Sequence, residues 1–289
     1  MLKKPSVPPA VSVPSLVARK NKARIVMLTA YDVAQGRVAD GAGADALLVG
    51  DSVGMTTLGY DSTIPVTLED MVRHTRAVAR GQRARLASDP EPFEAERGGR
   101  NALLVADLPF GAYGADAADG VRAGTRLLAE GGAQSVKLEG AGNVILETVR
   151  RLVDCGVPVM GHLGLTPQSV HRFGGFKAQG KTDAAADALV ADAVRLQEAG
   201  AWGIVLEMRP ATLAKRVTQT VSVVTIGIGA GGDCDGQVQV FHDLVGLSFA
   251  PVFKHTRRYV DAAEFLQNAL VEHVADVRAG RFPADANAL

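Results

Sequence analysis

Short, almost wholly apolar runs recur along the chain, separated by longer segments with helical spacing. Residues 25–31 read IVMLTAY, 45–51 DALLVGD, 101–108 NALLVADL, 134–140 QSVKLEG, 157–163 VPVMGHL, 203–208 GIVLEM and 223–229 VVTIGIG; residues 251–255, PVFKH, form a weaker eighth run. Runs of this kind suit strands covered on both faces, as in a parallel sheet. Their alternation with Ala-, Arg- and Glu-rich helical segments indicates an α/β protein. Eight strands in 289 residues predict a (β/α)8 TIM barrel, with a doubly wound open sheet as the alternative.

Helix starts are marked locally. Thr67-Leu68-Glu69-Asp70 has the hydroxyl and acid, three apart, of a capping box, and Thr166-Pro167 gives an N-cap followed by proline at the first helical position. The segment 81–99, GQRARLASDPEPFEAERGG, breaks the rhythm with charge and two prolines. It reads as an exposed loop insertion. It follows a helix, so it falls at the N-terminal face of a barrel, away from the catalytic end, and is expected to be non-catalytic. Residues 1–11 read as a flexible arm, and 12–289 as a single barrel domain ending in a helical tail. The basic N-terminus resembles a transit peptide in lacking acidic residues. However, Pro5, Pro8, Pro9 and Pro14 would break the amphipathic helix of such a signal, so a cytoplasmic protein is expected.

Composition narrows the function classes. Lys plus Arg and Asp plus Glu both total 31, which argues against a dedicated nucleic-acid or anionic-membrane binder. The two cysteines, Cys155 and Cys234, form no C-x-x-C pair and suit a reducing compartment. No apolar run approaches the roughly 18 residues of a membrane span.

The candidate chemistry lies at the C-terminal ends of the runs, which in a barrel surround one mouth. Asp51 and Ser52 follow the second, Asp107 the third, His162 the fifth and Glu207 the sixth, while Lys137 and Glu139 lie in the fourth. Taken singly, Asp51 suits a turn or helix cap, Lys137 and Glu139 an exposed pair, His162 a structural histidine, and Glu207 a partner for Arg209 or a lysine. Taken together, they are carboxylates behind apolar stretches, and burying them calls for a compensating cation. Oxygen donors such as Asp51, Asp107 and Glu139 suit Mg2+, Mn2+ or Ca2+. Lys137 and Glu139 share a face of their strand, so Lys137 can attract an anionic substrate beside the metal. The seventh run enters a glycine-rich turn, GIGAGGDCDGQ at 227–237, whose GIGAG lacks the G-x-G-x-x-G dinucleotide pattern, and Cys234 reads as a packed turn residue.

Long motifs complete the reading. VMLTAYD, VGDSVGMTTLGYDSTIPVTLEDMVRHTRAVARG, LLVADLPFGAYG, VKLEG, VPVMGHLGLTPQSVHRFGGFKAQGK, IVLEMRPATLAKRVT and TIGIGAGGDCDGQVQVFHDLVGL together resemble the ketopantoate hydroxymethyltransferase family, in order, from about Val13 to His255. The resemblance implies a barrel of the phosphoenolpyruvate/pyruvate superfamily that moves a one-carbon unit from 5,10-methylenetetrahydrofolate to 3-methyl-2-oxobutanoate, giving 2-dehydropantoate. It implies one Mg2+ per subunit at Asp51, Asp107 and Glu139. It implies substrate contacts from Asp51, Ser52, Asp107, Lys137 and His162, with Glu207 as proton acceptor. It also implies a homo-oligomer, a decamer of two stacked pentamers. The 81–99 segment is longer than the family pattern, and the tail after about Tyr259 matches no family motif. A lyase or mutase of the same superfamily and a non-catalytic barrel are the rival functions.

Overall fold

Eight parallel strands pair in sequence order, and the eighth returns to the first, so the sheet is a closed barrel. This computed structural model describes residues 10–82, 102–175, 182–248 and 254–287. The strands are β1 Ile25–Thr29, β2 Ala46–Val49, β3 Leu103–Asp107, β4 Ser135–Glu139, β5 Val159–Gly164, β6 Gly203–Glu207, β7 Val224–Ile228 and β8 Gly236–Gln239. The helices within this unit are α1 Val13–Val17, α2 Val33–Gly41, α3 Val53–Thr56, α4 Leu68–Gly81, α5 Ala117–Ala129, α6 Asn143–Asp154, α7 Val170–Phe173, α8 Asp183–Glu198 and α9 Ala211–Thr220. Closure excludes the open doubly wound sheet. The 81–99 segment falls, but for Gly81 and Gln82, outside the described residues.

The apolar runs divide by parity, as period-two strands require. Ala46, Leu48, Leu103, Val105, Met160 and Val205 face the inside of the barrel, in one cluster with Leu16 of α1. Leu47, Val49, Leu104, Ala106, Val136 and Leu138 face the helices in another. Strands buried on both faces, such as β2 and β3, therefore need apolar residues at nearly every position, which is why those runs look continuous. Helix α1 begins with a reciprocal Ser12–Ser15 capping box and buries Leu16 completely. Helix α4 begins with the Thr67–Asp70 box read from the sequence. Thr166 does precede a proline at the first position, but of a single 3-10 turn, Pro167–Ser169, without a side-chain cap bond.

The eighth strand corrects the sequence reading. It is Gly236–Gln239, which begins at the end of the glycine-rich stretch taken for a turn, and not the 251–255 run. Lys254 and His255 form a turn, and residues 251–253 lie outside the described residues. The strand GQVQ is too polar to advertise itself, and only alternate residues are buried. It is specified by its neighbours. It pairs with Ile25–Leu28 of β1 and with Ile226 and Gly227 of β7. A side chain at Gly236 would put a Cβ 2.3 Å from the Ile25 carbonyl oxygen. Beside it, the Asp235 carboxylate accepts from Lys20 Nζ (2.8 Å), the Asn21 amide (3.0 Å) and the Thr225 amide (2.8 Å), fastening the segment after α1 to β7 and the start of β8.

The described residues form two compact units that divide between Gln239 and Val240. The second contains α10 Phe241–Val245 and α11 Ala262–Arg278. Gly246 ends α10 in a left-handed conformation at φ 73°, and its carbonyl accepts the Ala263 amide at 3.2 Å.

Candidate active site

The inward-facing series that is apolar low in the barrel becomes ionic at its C-terminal end. On β3 it runs Leu103, Val105, Asp107; on β4 Ser135, Lys137, Glu139; on β5 Met160, His162, Gly164; on β6 Val205, Glu207. The register sets Asp107 beside Lys137, Glu139 beside His162, and Gly164 beside Glu207. The structure thus brings together residues that the sequence spreads over 100 positions. Asp51, Asp107, Lys137, Glu139 and His162 are each 5% exposed or less.

Contacts knit these groups into one network. Lys137 Nζ lies 3.0 Å from Asp107 Oδ1, and the Asp51 amide donates to Asp107 Oδ2 at 3.1 Å. His162 Nδ1 lies 3.3 Å from Glu139 Oε1, and its Nε2 3.3 Å from Glu207 Oε2. Ser52 Oγ and the Tyr31 hydroxyl share a 2.7 Å hydrogen bond. The single-residue alternatives resolve accordingly. Asp51 directs its carboxylate at Gln168 rather than at the start of α3. Lys137 and Glu139 are buried, and Glu207 meets His162 rather than Arg209. The glycines flanking Asp51 have internal reasons. A Cβ on Gly50 would crowd Ser52 Oγ at 2.8 Å, and one on Gly54 would strike Val66 at 2.6 Å.

Electrostatics follow from burial and sign. Burial and Lys137 push the His162 pKa down, but its contacts with Glu139 and Glu207 outweigh both and bring it to about 9. His162 is therefore a cation at neutral pH, lying between the two carboxylates. Burial would also neutralise Lys137, but Asp107, Glu139 and Asp51 hold its pKa above the ordinary lysine value. Asp51 is pushed well above the ordinary carboxylate range by burial and by the charges of Asp107 and Glu139, against the pull of Lys137 and Gln168. Burial raises Asp107 too, with Lys137 opposing.

Two residues central to this network carry no signal in the sequence pattern. Gln168, in the turn after β5, donates from Nε2 to Asp51 Oδ2 (2.8 Å) and to the Leu108 carbonyl (2.9 Å), and from its amide to Glu139 Oε2 (3.0 Å). The Tyr113 hydroxyl donates to Gln168 Oε1 at 2.7 Å and accepts the Glu139 amide at 2.9 Å. A glutamine behind a proline, and a tyrosine in a loop, belong to no periodic pattern. Only the fold shows that they bridge the ends of β2, β3 and β4.

Asp51, Asp107 and Glu139 fit a hard divalent cation by chemistry. All three offer oxygen and all are buried, and burial together with the charges of Asp107 and Glu139 raises Asp51. As they stand, their oxygens are engaged by Lys137, Gln168 and His162. No group of three His, Cys, Asp or Glu side chains among the described residues is already gathered around a metal position. A separate groove of about 410 Å3, lined by Arg73, Arg76, Arg80 and Arg126, lies on the outer helices and contains none of these residues.

The comparisons with known proteins converge. The sequence profile described as ketopantoate hydroxymethyltransferase matches residues 10–285. A 3-methyl-2-oxobutanoate hydroxymethyltransferase from Moorella thermoacetica is 49% identical over 276 residues, covering 94% of this chain and 95% of that protein. The protein of the same name from Thermus thermophilus is 51% identical over 264 residues, covering 91% and 93%. Among solved structures, 2,3-dimethylmalate lyase, a PEP mutase/isocitrate lyase superfamily member, superposes with a TM-score of 0.52 at 15% identity, covering 96% of this chain and 90% of that one. Phosphonopyruvate hydrolase complexed with oxalate and Mg2+ superposes at 0.56 and 13% identity, covering 96% and 91%. These structures share the barrel fold, and among the described residues no helix is long and apolar enough to cross a membrane.

Proposed function

The chain belongs to the ketopantoate hydroxymethyltransferase family, and from that premise we propose that it converts 3-methyl-2-oxobutanoate to 2-dehydropantoate with 5,10-methylenetetrahydrofolate as the one-carbon donor and Mg2+ as the metal. The observation that carries this reading is the pairing of two charge environments in one mouth. Cations on β4 and β5 stand beside three buried carboxylates, while Glu207, on β6 and only partly buried, faces His162.

Transfer of a hydroxymethyl group to the keto acid is supported by the name of the relatives, the folate donor by the motif resemblance alone, and Mg2+ by the oxygen donors and by the ion in the phosphonopyruvate hydrolase complex. Asp51, Asp107 and Glu139 would hold the ion, and when bound it would neutralise charge developing on the substrate's keto oxygen. The remaining work falls to side chains. Lys137 supplies a fixed positive charge toward the anionic substrate, pinned by Asp107. Ser52 Oγ, held by Tyr31, offers a hydroxyl to the keto acid. Glu207 takes the C3 proton, and the resulting carbon nucleophile attacks the methylene carbon of the folate in its iminium form; water then releases the carrier and leaves the hydroxymethyl group. His162, charged between Glu139 and Glu207, orients the Glu207 carboxylate.

Function in the cytoplasm, supported by two free cysteines, and self-association are parts of the same reading. Helix α11 leaves Phe265, Leu266, Leu270, Val271, Val274 and Val277 exposed, an apolar row suited to contact between subunits. Light scattering reads the subunit number; a monomer would refute the assembly and leave the chemistry standing. The deciding assay supplies keto acid, 5,10-methylenetetrahydrofolate and Mg2+ and follows 2-dehydropantoate. Carbon–carbon cleavage of a 2-oxo or hydroxy acid without folate would favour a lyase, and no turnover of either kind a non-catalytic barrel.

A further inference from the structure

Two residues beyond Glu207, the chain buries a cation that the mechanism above does not use. Arg209 is 8% exposed, and its Nε makes no hydrogen bond among the described residues. No carboxylate among the described residues lies in ion-pair contact with it. Burial alone lowers the pKa of its guanidinium to about 10, so it remains charged at neutral pH. A buried charge without a counter-charge is costly and persists only where something repays it.

The backbone is shaped to hold it there. Met208 adopts φ 50°, the left-handed region that a non-glycine residue rarely enters. Pairing with the far side of the turn fixes that conformation. The Met208 amide donates to the Ile228 carbonyl at 2.9 Å, and the Arg209 amide to the Gly229 carbonyl at 3.1 Å. On the other flank, Gly164 at φ 120° clears the space. A Cβ there would meet the Glu207 carbonyl oxygen at 2.3 Å and Arg209 Nε at 3.0 Å. Arg209 Nε therefore lies over the end of β5, one inward position past His162 and beside the register partner of Glu207. Along the rim the order is Lys137 on β4, His162 on β5, then Glu207 and Arg209 at the end of β6.

We propose that Arg209 is a carboxylate-binding residue at the β5–β6 side of the mouth, the counter-charge being a carboxylate group of a bound substrate. Guanidinium matches carboxylate in shape and charge, and a water-poor setting strengthens the pair. The identity of the ligand rests on the function proposed above, in which both substrates carry carboxylates: the 2-oxo acid at C1 and the folate on its glutamate tail. The chemistry is shared, and the arms of the experiment separate the two sources.

Arg209→Met removes the charge with little loss of volume, and Arg209→Lys keeps the charge but loses the fork. For each variant, circular dichroism checks the fold, calorimetry measures the Kd of 3-methyl-2-oxobutanoate, and kinetics give KM for the keto acid and for 5,10-methylenetetrahydrofolate with one or three glutamates. In Arg209→Met one of the two substrates loses affinity by about tenfold or more, kcat changes less than about threefold, and Arg209→Lys recovers part of the loss. A shift in the keto-acid Kd and KM assigns the carboxylate to the 2-oxo acid. A shift confined to the folate KM, with the keto-acid Kd unchanged, assigns it to the glutamate tail. Wild-type affinity for both substrates in folded Arg209→Met overturns the proposal. If that variant does not fold, Arg209→Lys decides, since an unchanged KM and Kd there overturns it equally. The calorimetric arm needs no turnover, so a wild-type protein that binds the keto acid yet makes no 2-dehydropantoate refutes the proposed reaction and still tests Arg209.

Discussion

Gln168 Nε2 donates to Asp51 Oδ2 over 2.8 Å, joining residues 117 positions apart. With its amide on Glu139 and its Oε1 on Tyr113, Gln168 fixes two of the three carboxylates proposed to hold the metal. Replacing it with leucine leaves a buried carboxylate short of a donor, at a cost of about 1–3 kcal/mol. The larger effect is on geometry, so kcat in Gln168→Leu falls about tenfold to a hundredfold while the protein stays folded. Tyr113→Phe, which removes one hydroxyl and leaves Gln168 in place, has the milder effect. Thermal melts with steady-state kinetics check both; a folded Gln168→Leu within twofold of the wild-type kcat refutes the positioning role.

Glu207→Gln keeps shape and removes the proposed base. Keto-acid binding persists, and exchange of the C3 deuteron of labelled 3-methyl-2-oxobutanoate with solvent slows by about a hundredfold or more. Proton NMR of the substrate follows the exchange directly, without folate. Exchange at the wild-type rate would assign proton abstraction elsewhere.

Asp107 pairs with Lys137 and, in the function proposed above, is also one of the carboxylates that would hold the metal. Asp107→Ala therefore weakens Mg2+ binding and removes activity together, and adding metal in excess restores little. In the wild type, chelation abolishes turnover and Mg2+ restores it. Calorimetric titration with Mg2+ is the check, and an unchanged affinity in the variant removes Asp107 from the ligand set.

At the opposite end of the barrel, Asp235 tests stability separately from chemistry. Burial would raise its pKa, but the hydrogen bonds from Lys20 and from the Thr225 and Asn21 amides outweigh that and hold it below the ordinary carboxylate value. A depressed folded pKa means stabilisation that is present above the unfolded value of about 3.9 and lost as pH falls through the folded value. Asp235→Asn costs about 1–3 kcal/mol at pH 7. Denaturation from pH 7 down to pH 3 should find that gap steady until the carboxylate range and narrowing below it. A gap of constant size throughout would show that the ionic form of Asp235 contributes nothing.

Much of this fold was legible as pattern because both faces of each barrel strand are buried. Leu47 and Leu48 point to opposite cores, so the run containing them could not be other than apolar. The same logic failed at β8, where Gln237 and Gln239 are only partly buried and the stretch lies among glycines. Its pairing partners make it a strand, and pairing partners are not written locally. The site was legible to the same degree. Asp51, Asp107, Lys137, Glu139, His162 and Glu207 stand out because each interrupts or ends an apolar run.

The sequence by itself determined the alternation of strand and helix, the capping of α4, the family, and the ionic residues at the strand ends. The tertiary structure alone decided which of them touch. The Lys137–Asp107 pair, the placing of His162 between Glu139 and Glu207, the Gln168–Tyr113 bridge and the approach of Arg209 to Gly164 are all contacts between different strands and loops. Barrel closure and register create these contacts, because hydrogen bonding across the sheet, and not spacing along the chain, sets which side chains share the mouth.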